Sequence, residues 1–134
     1  MNPVVHFEMS YEDKQRMADF YTKAFGWKTN MLGPEMGNYV TAETTETDEN
    51  RMVKTPGAIN GGFYQAQPER KGVSVVIAVN DIQEAMKNVI AAGGTITGGS
   101  QGPDKVDDIP GVGLYVGMID TEGNNVALLQ PHKM

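Results

Sequence analysis

The chain has 134 residues, 40% of them hydrophobic and 21% charged, which is enough apolar material for one domain with a real core. Its formal net charge of −6 disfavours binding to phosphate backbones, and the absence of cysteine excludes disulfides, thiolate metal sites and cysteine nucleophiles. The N-terminus lacks the basic stretch and apolar run of a signal peptide, and no apolar run approaches the length of a membrane span. We therefore expect a cytoplasmic protein that binds neither nucleic acid nor membranes.

The first half begins with a strand that is followed by a helix. Residues 3–9 are rich in β-branched and aromatic side chains, which favours a strand. Ser10 with Asp13 resembles a capping box, and Gly26 stands where a helix often ends in a left-handed residue. The apolar residues between them recur at helical spacing and predict one buried helix face, formed by Met17, Phe20, Tyr21, Ala24 and Phe25.

The second half repeats this order. Residues 73–79 predict a strand, Asp81 with Glu84 resembles a capping box, and Gly93-Gly94 predicts the end of a helix. The second apolar face has the same spacing, with Ile82, Ala85, Met86, Val89 and Ile90. Because cap, face and stop recur in order at about half the chain length, we predict a duplication; two unrelated strand–helix pairs are the alternative.

Strand-like segments follow each predicted helix, so each half is interpreted as a βαβββ module. They are residues 27–30, 39–44 and 57–65 in the first half and 94–97, 111–120 and 125–130 in the second, with a tight turn at 120–124. Module 1 covers about residues 1–66, a linker about 65–72, and module 2 about 73–134. The polar segments 44–56 and 98–110 are interpreted as mobile surface loops of the kind that flank binding sites.

Short motifs recur near the helix ends and along the strands of both halves. They are His6-Phe7-Glu8, Phe20-Tyr21 with Phe25-Gly26-Trp27, Gly61-Gly62-Phe63-Tyr64, Val79-Asn80-Asp81, Ala92-Gly93-Gly94, Ile109-Pro110-Gly111-Val112-Gly113 and Asp120-Thr121-Glu122-Gly123-Asn124. In this order they resemble the vicinal-oxygen-chelate superfamily, which includes glyoxalase I, bleomycin-resistance proteins, extradiol dioxygenases and fosfomycin-resistance proteins. The resemblance spans nearly the whole chain and looks closest to the group described as predicted enzymes related to lactoylglutathione lyase.

The resemblance implies an α+β fold. A single glyoxalase-like domain, residues 1–134, would arrange the two βαβββ modules as a pair of curved mixed sheets around a cleft. It also implies a small-molecule ligand in that cleft and a homodimer, because these sheets often pair across chains.

The metal set of the superfamily is incomplete in this sequence. The resemblance implies one ligand from the first and one from the fourth strand of each half, usually His or Gln, then Glu, His and Glu. Only His6 matches; the later positions hold Gly61-Gly62, Ser74-Val75 and Ala127. Since catalytic zinc usually has three protein ligands, we expect no cofactor. The alternative is a divalent metal at His6, completed by Glu8 or by groups from another chain.

Several residues are candidates for the site. His6 and Glu8 alternate onto one strand face and are the candidate catalytic residues, either of which could act as general base. The ligand-binding candidates are Asn60, Tyr39, Tyr64, Tyr115 and Met118. The alternatives are a hydrogen-bonded structural role for His6, and core packing for the tyrosines and Trp27. Gly61-Gly62 indicates either a bulge or close strand packing, or backbone that approaches a ligand.

Three functions are consistent with these residues. The first is a glyoxalase-like enzyme of the lyase or isomerase type with a degenerate metal site. The second is a metal-free protein that sequesters a small compound, as bleomycin-resistance proteins do, and the acidic charge is compatible with a cationic drug. The third is a metal-free sensor or accessory domain. Turnover would distinguish the first from the other two.

Overall fold

The computed structural model describes residues 1–132 and has the mixed α+β composition that the sequence predicts. No helix in this part of the chain is long and apolar enough to cross a membrane. The elements are β1 (Val4–Tyr11), α1 (Lys14–Phe25), β2 (Lys28–Met31), a 3-10 turn (Pro34–Met36), β3 (Val40–Glu43), β4 (Gly61–Gln65), β5 (Val73–Ala78), α2 (Ile82–Ala91), β6 (Thr95–Gly98), β7 (Asp107–Ile109), β8 (Gly113–Ile119) and β9 (Asn125–Pro131).

The chain divides into two compact units of the same topology. The first is His6–Val73, and the second is Met1–Val5 together with the chain from Ser74 onward. In the first unit the strand order is β2-β3-β4-β1, with β1 and β4 parallel and the other pairs antiparallel. In the second it is β5-β9-β8-β6, again with one parallel pair, β5 with β9. Each helix thus links the first strand of its unit to the antiparallel strands that follow.

The helix ends confirm two of the predicted signals, Gly26 and Asp81, and correct a third. Gly26 ends α1 in the left-handed region with φ of 74°, and Asp81 caps α2 by accepting hydrogen bonds from the Gln83 and Glu84 amides at 3.0 and 3.1 Å. The prediction that Ser10 caps α1 is wrong. Asp13 is the cap, whereas Ser10 lies in β1 and its hydroxyl accepts a hydrogen bond from the Gly72 amide at 2.8 Å.

The core of the first unit lies between its sheet and α1. It contains Tyr11, Val40, Ala42 and Phe63, with Met17, Tyr21 and Trp27 packed against it. The predicted face of α1 is only partly right, because Phe20 and Phe25 are 56% and 63% exposed. Ala18 is buried instead, so the side of the helix turned to the sheet is centred between Met17 and Tyr21.

The core of the second unit is formed by Val79, Ile82, Val116, Met118 and Leu128. Three of the predicted α2 residues pack against it, namely Ala85, Met86 and Val89, whereas Ile90 is exposed. Two strand predictions need correction. The segment 98–110 is not all loop, because β7 pairs with β8 there, and the strand predicted at 57–65 is formed only by Gly61–Gln65.

Candidate functional site

One face of the first unit's sheet carries most of the predicted site residues. Phe7 and Met9 of β1 pack against the core, so alternation places His6, Glu8 and Ser10 on the opposite face. On β4, Gly62 lies beside Glu8 and Tyr64 lies beside Ser10 in the parallel register. We call this set, His6, Glu8, Ser10, Gly62 and Tyr64, the polar face.

His6 is a half-buried imidazole beside a phenol. Its Nε2 atom lies 3.4 Å from the Tyr39 hydroxyl. Burial lowers the pKa of His6 below its usual value of 6.5, and the negative charge of Glu8 only partly opposes this effect. Burial therefore favours the uncharged ring, in which one nitrogen can accept a proton or a hydrogen bond.

Tyr39 reaches His6 because the β4 strand carries glycine at this point. A Cβ atom on Gly62 would overlap the Tyr39 phenol, and a Cβ on Gly61 would overlap the Phe7 ring on the other face. Each glycine therefore makes room for an aromatic side chain laid over the strand. The β1–β4 register runs without interruption through both glycines, so the pair is a site of close packing rather than a bulge.

Glu8 is held by an arginine that the sequence analysis did not single out. Nη2 of Arg70 lies 3.2 Å from Oε1 of Glu8, and the two side chains are 34% and 6% exposed. The guanidinium also lies 4.1 Å from the centroid of the Tyr64 ring, within cation–π range. Arg70 belongs to the predicted linker, where a basic residue normally indicates only a solvated segment, so no signal in the sequence marked it.

Tyr64 connects this ion pair to the chain that follows β4. Its hydroxyl donates a hydrogen bond to the Gly72 carbonyl at 3.0 Å. Burial raises the pKa of Tyr64 above its usual value, and the nearby positive charge of Arg70 partly counteracts that rise. The phenol is consequently neutral over the physiological range and acts as a hydrogen-bond donor.

The remaining candidates lie elsewhere. The Asn60 side-chain oxygen accepts hydrogen bonds from the Thr44 and Thr45 amides at 2.8 and 3.0 Å, so it fixes the start of the loop that follows β3. Tyr115 and Met118 lie on β8 of the second unit, where Tyr115 is half-buried and Met118 is part of the core. A ligand-binding role for these three residues stays a prediction.

A surface groove of about 500 Å³ lies at the start of α1, between Asp13, Arg16 and Phe20 on one side and Ala66 and Lys71 on the other. It shares Ser10 with the polar face but contains none of His6, Glu8 and Tyr39. Its charged side chains, Glu12, Asp13, Arg16 and Lys71, are of both signs and exposed. We therefore place the candidate site on the polar face, where the buried ionisable groups lie.

The donor atoms on hand do not fit the metal site that the fold family implies. Among residues 1–132, no three His, Asp or Glu side chains lie close enough together to hold an ion. In the second unit, the Ser74 hydroxyl donates to the Asn125 carbonyl at 2.9 Å and Ala127 has no donor atom. In the first, the Tyr39 phenol fills the space beside Gly62 that a β4 ligand would need.

Comparisons with known proteins agree with this architecture. The profile of the family described as "Glyoxalase-like domain" matches residues 6–129. Among curated proteins, none matches the sequence. Methylmalonyl-CoA epimerase from Streptomyces coelicolor, solved with 2-nitronate-propionyl-CoA, is a structural neighbour with a TM-score of 0.68 at 13% identity, covering 100% of this chain and 97% of that one.

Two further solved structures have the same fold. A hypothetical protein from Bacillus halodurans has a TM-score of 0.67 at 12% identity over 99% of this chain and 96% of that one. A glyoxalase/bleomycin resistance protein/dioxygenase superfamily member from Vibrio splendidus has a TM-score of 0.59 at 14% identity over 97% and 99%. Identities this low establish the fold alone. The profile match over residues 6–129 shows that the chain belongs to the glyoxalase-like domain family.

Proposed function

We propose that this protein binds a small organic molecule on the polar face of its first unit without using a metal ion. One observation carries the proposal. His6, at the first metal-ligand position of the superfamily, lies beside Tyr39, and its neighbour Glu8 is paired with Arg70, so both have a protein side chain as partner. Such a surface recognises its ligand by hydrogen bonds, aromatic contact and the field of a fixed ion pair.

The chemistry of the face favours a ligand that carries a carbonyl or hydroxyl oxygen. The neutral imidazole of His6 and the hydroxyl of Tyr39 offer one acceptor and one donor about a hydrogen bond apart. The ring of Tyr64 and the stem of Arg70 add apolar contact area beside them. Sequestration of such a compound, in the manner of bleomycin-resistance proteins, requires no further group.

A metal-free lyase or isomerase is the second candidate, and the lowered pKa of His6 favours it. A neutral imidazole is a competent general base near pH 7. In such a reaction the substrate first displaces the contact between His6 Nε2 and the Tyr39 hydroxyl. Nε2 then takes a proton from the carbon next to a carbonyl, and the bonding electrons move onto the carbonyl oxygen. The Tyr39 hydroxyl would stabilise that oxygen by a hydrogen bond, and return of the proton would complete an isomerisation.

The test is a binding and turnover screen in the presence of a chelator. The probes are methylmalonyl-CoA, methylglyoxal with glutathione, and bleomycin. Binding is measured by thermal shift and calorimetry, and turnover by product analysis. We expect one class of probe to bind, with affinity reduced at least about tenfold in both Tyr39→Phe and Arg70→Met. The matched control is Lys54→Met, which removes a basic residue from an exposed ion pair of the same unit.

Each outcome selects a function. Binding without product supports sequestration, whereas product formation that is lost in His6→Gln supports the enzyme. Binding that neither Tyr39→Phe nor Arg70→Met weakens would place the ligand away from the polar face and contradict the proposal.

The assembly and location of the protein are proposed on the resemblance and on the sequence. We expect a homodimer, which light scattering coupled to size-exclusion chromatography would detect as twice the chain mass. A cytoplasmic location stays a prediction, and fractionation of the source cells would test it.

A further inference from the structure

We infer that Tyr39 takes the place of a β4 ligand and Arg70 takes the place of a metal ion in this unit. The polar face therefore excludes divalent cations. The inference deepens the proposed function, because it assigns the positive charge of the site to a protein side chain. It rests on the side chains that contact three residues: Tyr39 lies against His6 and Gly62, and Arg70 is paired with Glu8.

The first contact concerns the β4 strand. Gly62 lies beside Glu8 in the β1–β4 register and faces the same side of the sheet as His6. A side chain at this position would be the nearest β4 donor for an ion bound by His6. The Tyr39 phenol fills that volume and lies 3.4 Å from the imidazole Nε2 atom. A second ligand from β4 is therefore sterically excluded while Tyr39 is in place.

The second contact concerns charge. The Glu8 carboxylate is buried and would attract a divalent ion strongly if its charge were uncompensated. Arg70 already supplies a positive charge 3.2 Å away. An incoming cation would have to displace the guanidinium or bind beside it against like-charge repulsion, and either event weakens metal binding.

The third contact keeps Arg70 where it is. The turn that carries it is closed by two backbone hydrogen bonds between Gln67 and Arg70, at 2.9 and 3.1 Å. The next residues are tied to the sheet, because Gly72 bonds to Ser10 through its amide and to Tyr64 through its carbonyl. The position of the guanidinium is thus fixed by the hydrogen-bonded backbone around Arg70 as well as by the ion pair with Glu8.

Removal of the guanidinium should then unmask a latent metal site. His6 and Glu8 share one face of β1 two residues apart, and imidazole and carboxylate are both ligands that Ni²⁺ and Zn²⁺ accept. Two protein ligands bind such ions weakly. The expected gain is therefore a measurable affinity rather than a tight site.

The experiment is a calorimetric titration of Ni²⁺ and Zn²⁺ chlorides into chelator-stripped full-length protein. We expect no saturable binding by the wild type and saturable binding by Arg70→Met, at least about tenfold tighter than the weakest binding that the titration can detect. Arg70→Lys, which keeps a cation beside Glu8, should bind no better than the wild type. The double variant His6→Ala/Arg70→Met should lose the gain, and Lys54→Met controls for the loss of a surface charge.

Two results would overturn the inference. One is saturable binding by the wild type that His6→Ala abolishes, which would mean that Arg70 does not keep ions away. The other is a folded Arg70→Met protein with no gain in affinity. If Arg70→Met does not fold, as judged by circular dichroism, Arg70→Gln keeps most of the side-chain volume without the charge and is read in the same way. Because these titrations contain no organic ligand, their failure is distinguishable from failure of the binding screen.

Discussion

The Arg70→Met substitution should destabilise the protein far more than a usual surface substitution does. It removes the positive charge beside the Glu8 carboxylate, which is only 6% exposed. Breaking a fully buried ion pair from one side costs about 3–5 kcal/mol. Since the Arg70 side chain is 34% exposed, water screens the pair, and we reduce the expected loss in the free energy of unfolding to about 2–3 kcal/mol.

The origin of that loss can be separated by a double-mutant cycle measured by urea unfolding at pH 7. Replacing both charges, in Glu8→Met/Arg70→Met, should recover most of the stability, because no buried charge is then left behind. Lys54→Met removes an exposed pair with a 3.9 Å separation and should change stability by less than about 0.5 kcal/mol. An Arg70→Met protein as stable as Lys54→Met would refute the assignment of Arg70 as the cation of a buried pair.

Three more predictions concern His6, Gly62 and the α2 cap Asp81. Because burial lowers the pKa of His6 below 6.5, the unfolded chain binds the proton more readily than the folded one. The stability that the neutral ring contributes is therefore lost as pH falls from about 7 through the folded pKa. Urea unfolding at several pH values should show a smaller loss of stability in His6→Gln than in the wild type. Gly62→Ala should cost about 1–2 kcal/mol by crowding Tyr39, and chemical denaturation should show a smaller cost in a Tyr39→Ala background, whereas equal costs would mean that the two residues do not touch. Asp81→Ala should lower the free energy of unfolding by about 1 kcal/mol through loss of the α2 cap, and no change beyond that of the loop variant Asp104→Ala would contradict the capping role.

Local chemistry explains which parts of the fold were predictable. Gly26 and Asp81 act through hydrogen bonds within one turn of their own helix, so their neighbours in the sequence were sufficient to assign them. Ser10 failed as a cap because its hydroxyl bonds to Gly72, a contact between residues that are far apart in the sequence. Likewise, the spacing of Phe20 and Phe25 fixes their side of the helix but not the direction in which the sheet lies.

The same distinction applies to the site. Strand alternation was enough to place His6 and Glu8 on one face. The partners of these two residues were not visible, because Tyr39 and Arg70 reach them across 33 and 62 residues of sequence. Near the Tyr39 contact, the two adjacent glycines of β4 were the only sequence feature that indicated close packing. No pattern in the sequence indicated the ion pair between Arg70 and Glu8.

If the polar face works without a metal, the purified, tag-free protein should contain almost none. Mass spectrometry of the wild type beside His6→Ala would measure bound nickel, zinc, manganese and iron per chain. We expect values far below one ion per chain that are the same in both proteins. Close to one ion per wild-type chain, lost in His6→Ala, would contradict it and favour the metal-dependent chemistry of the superfamily.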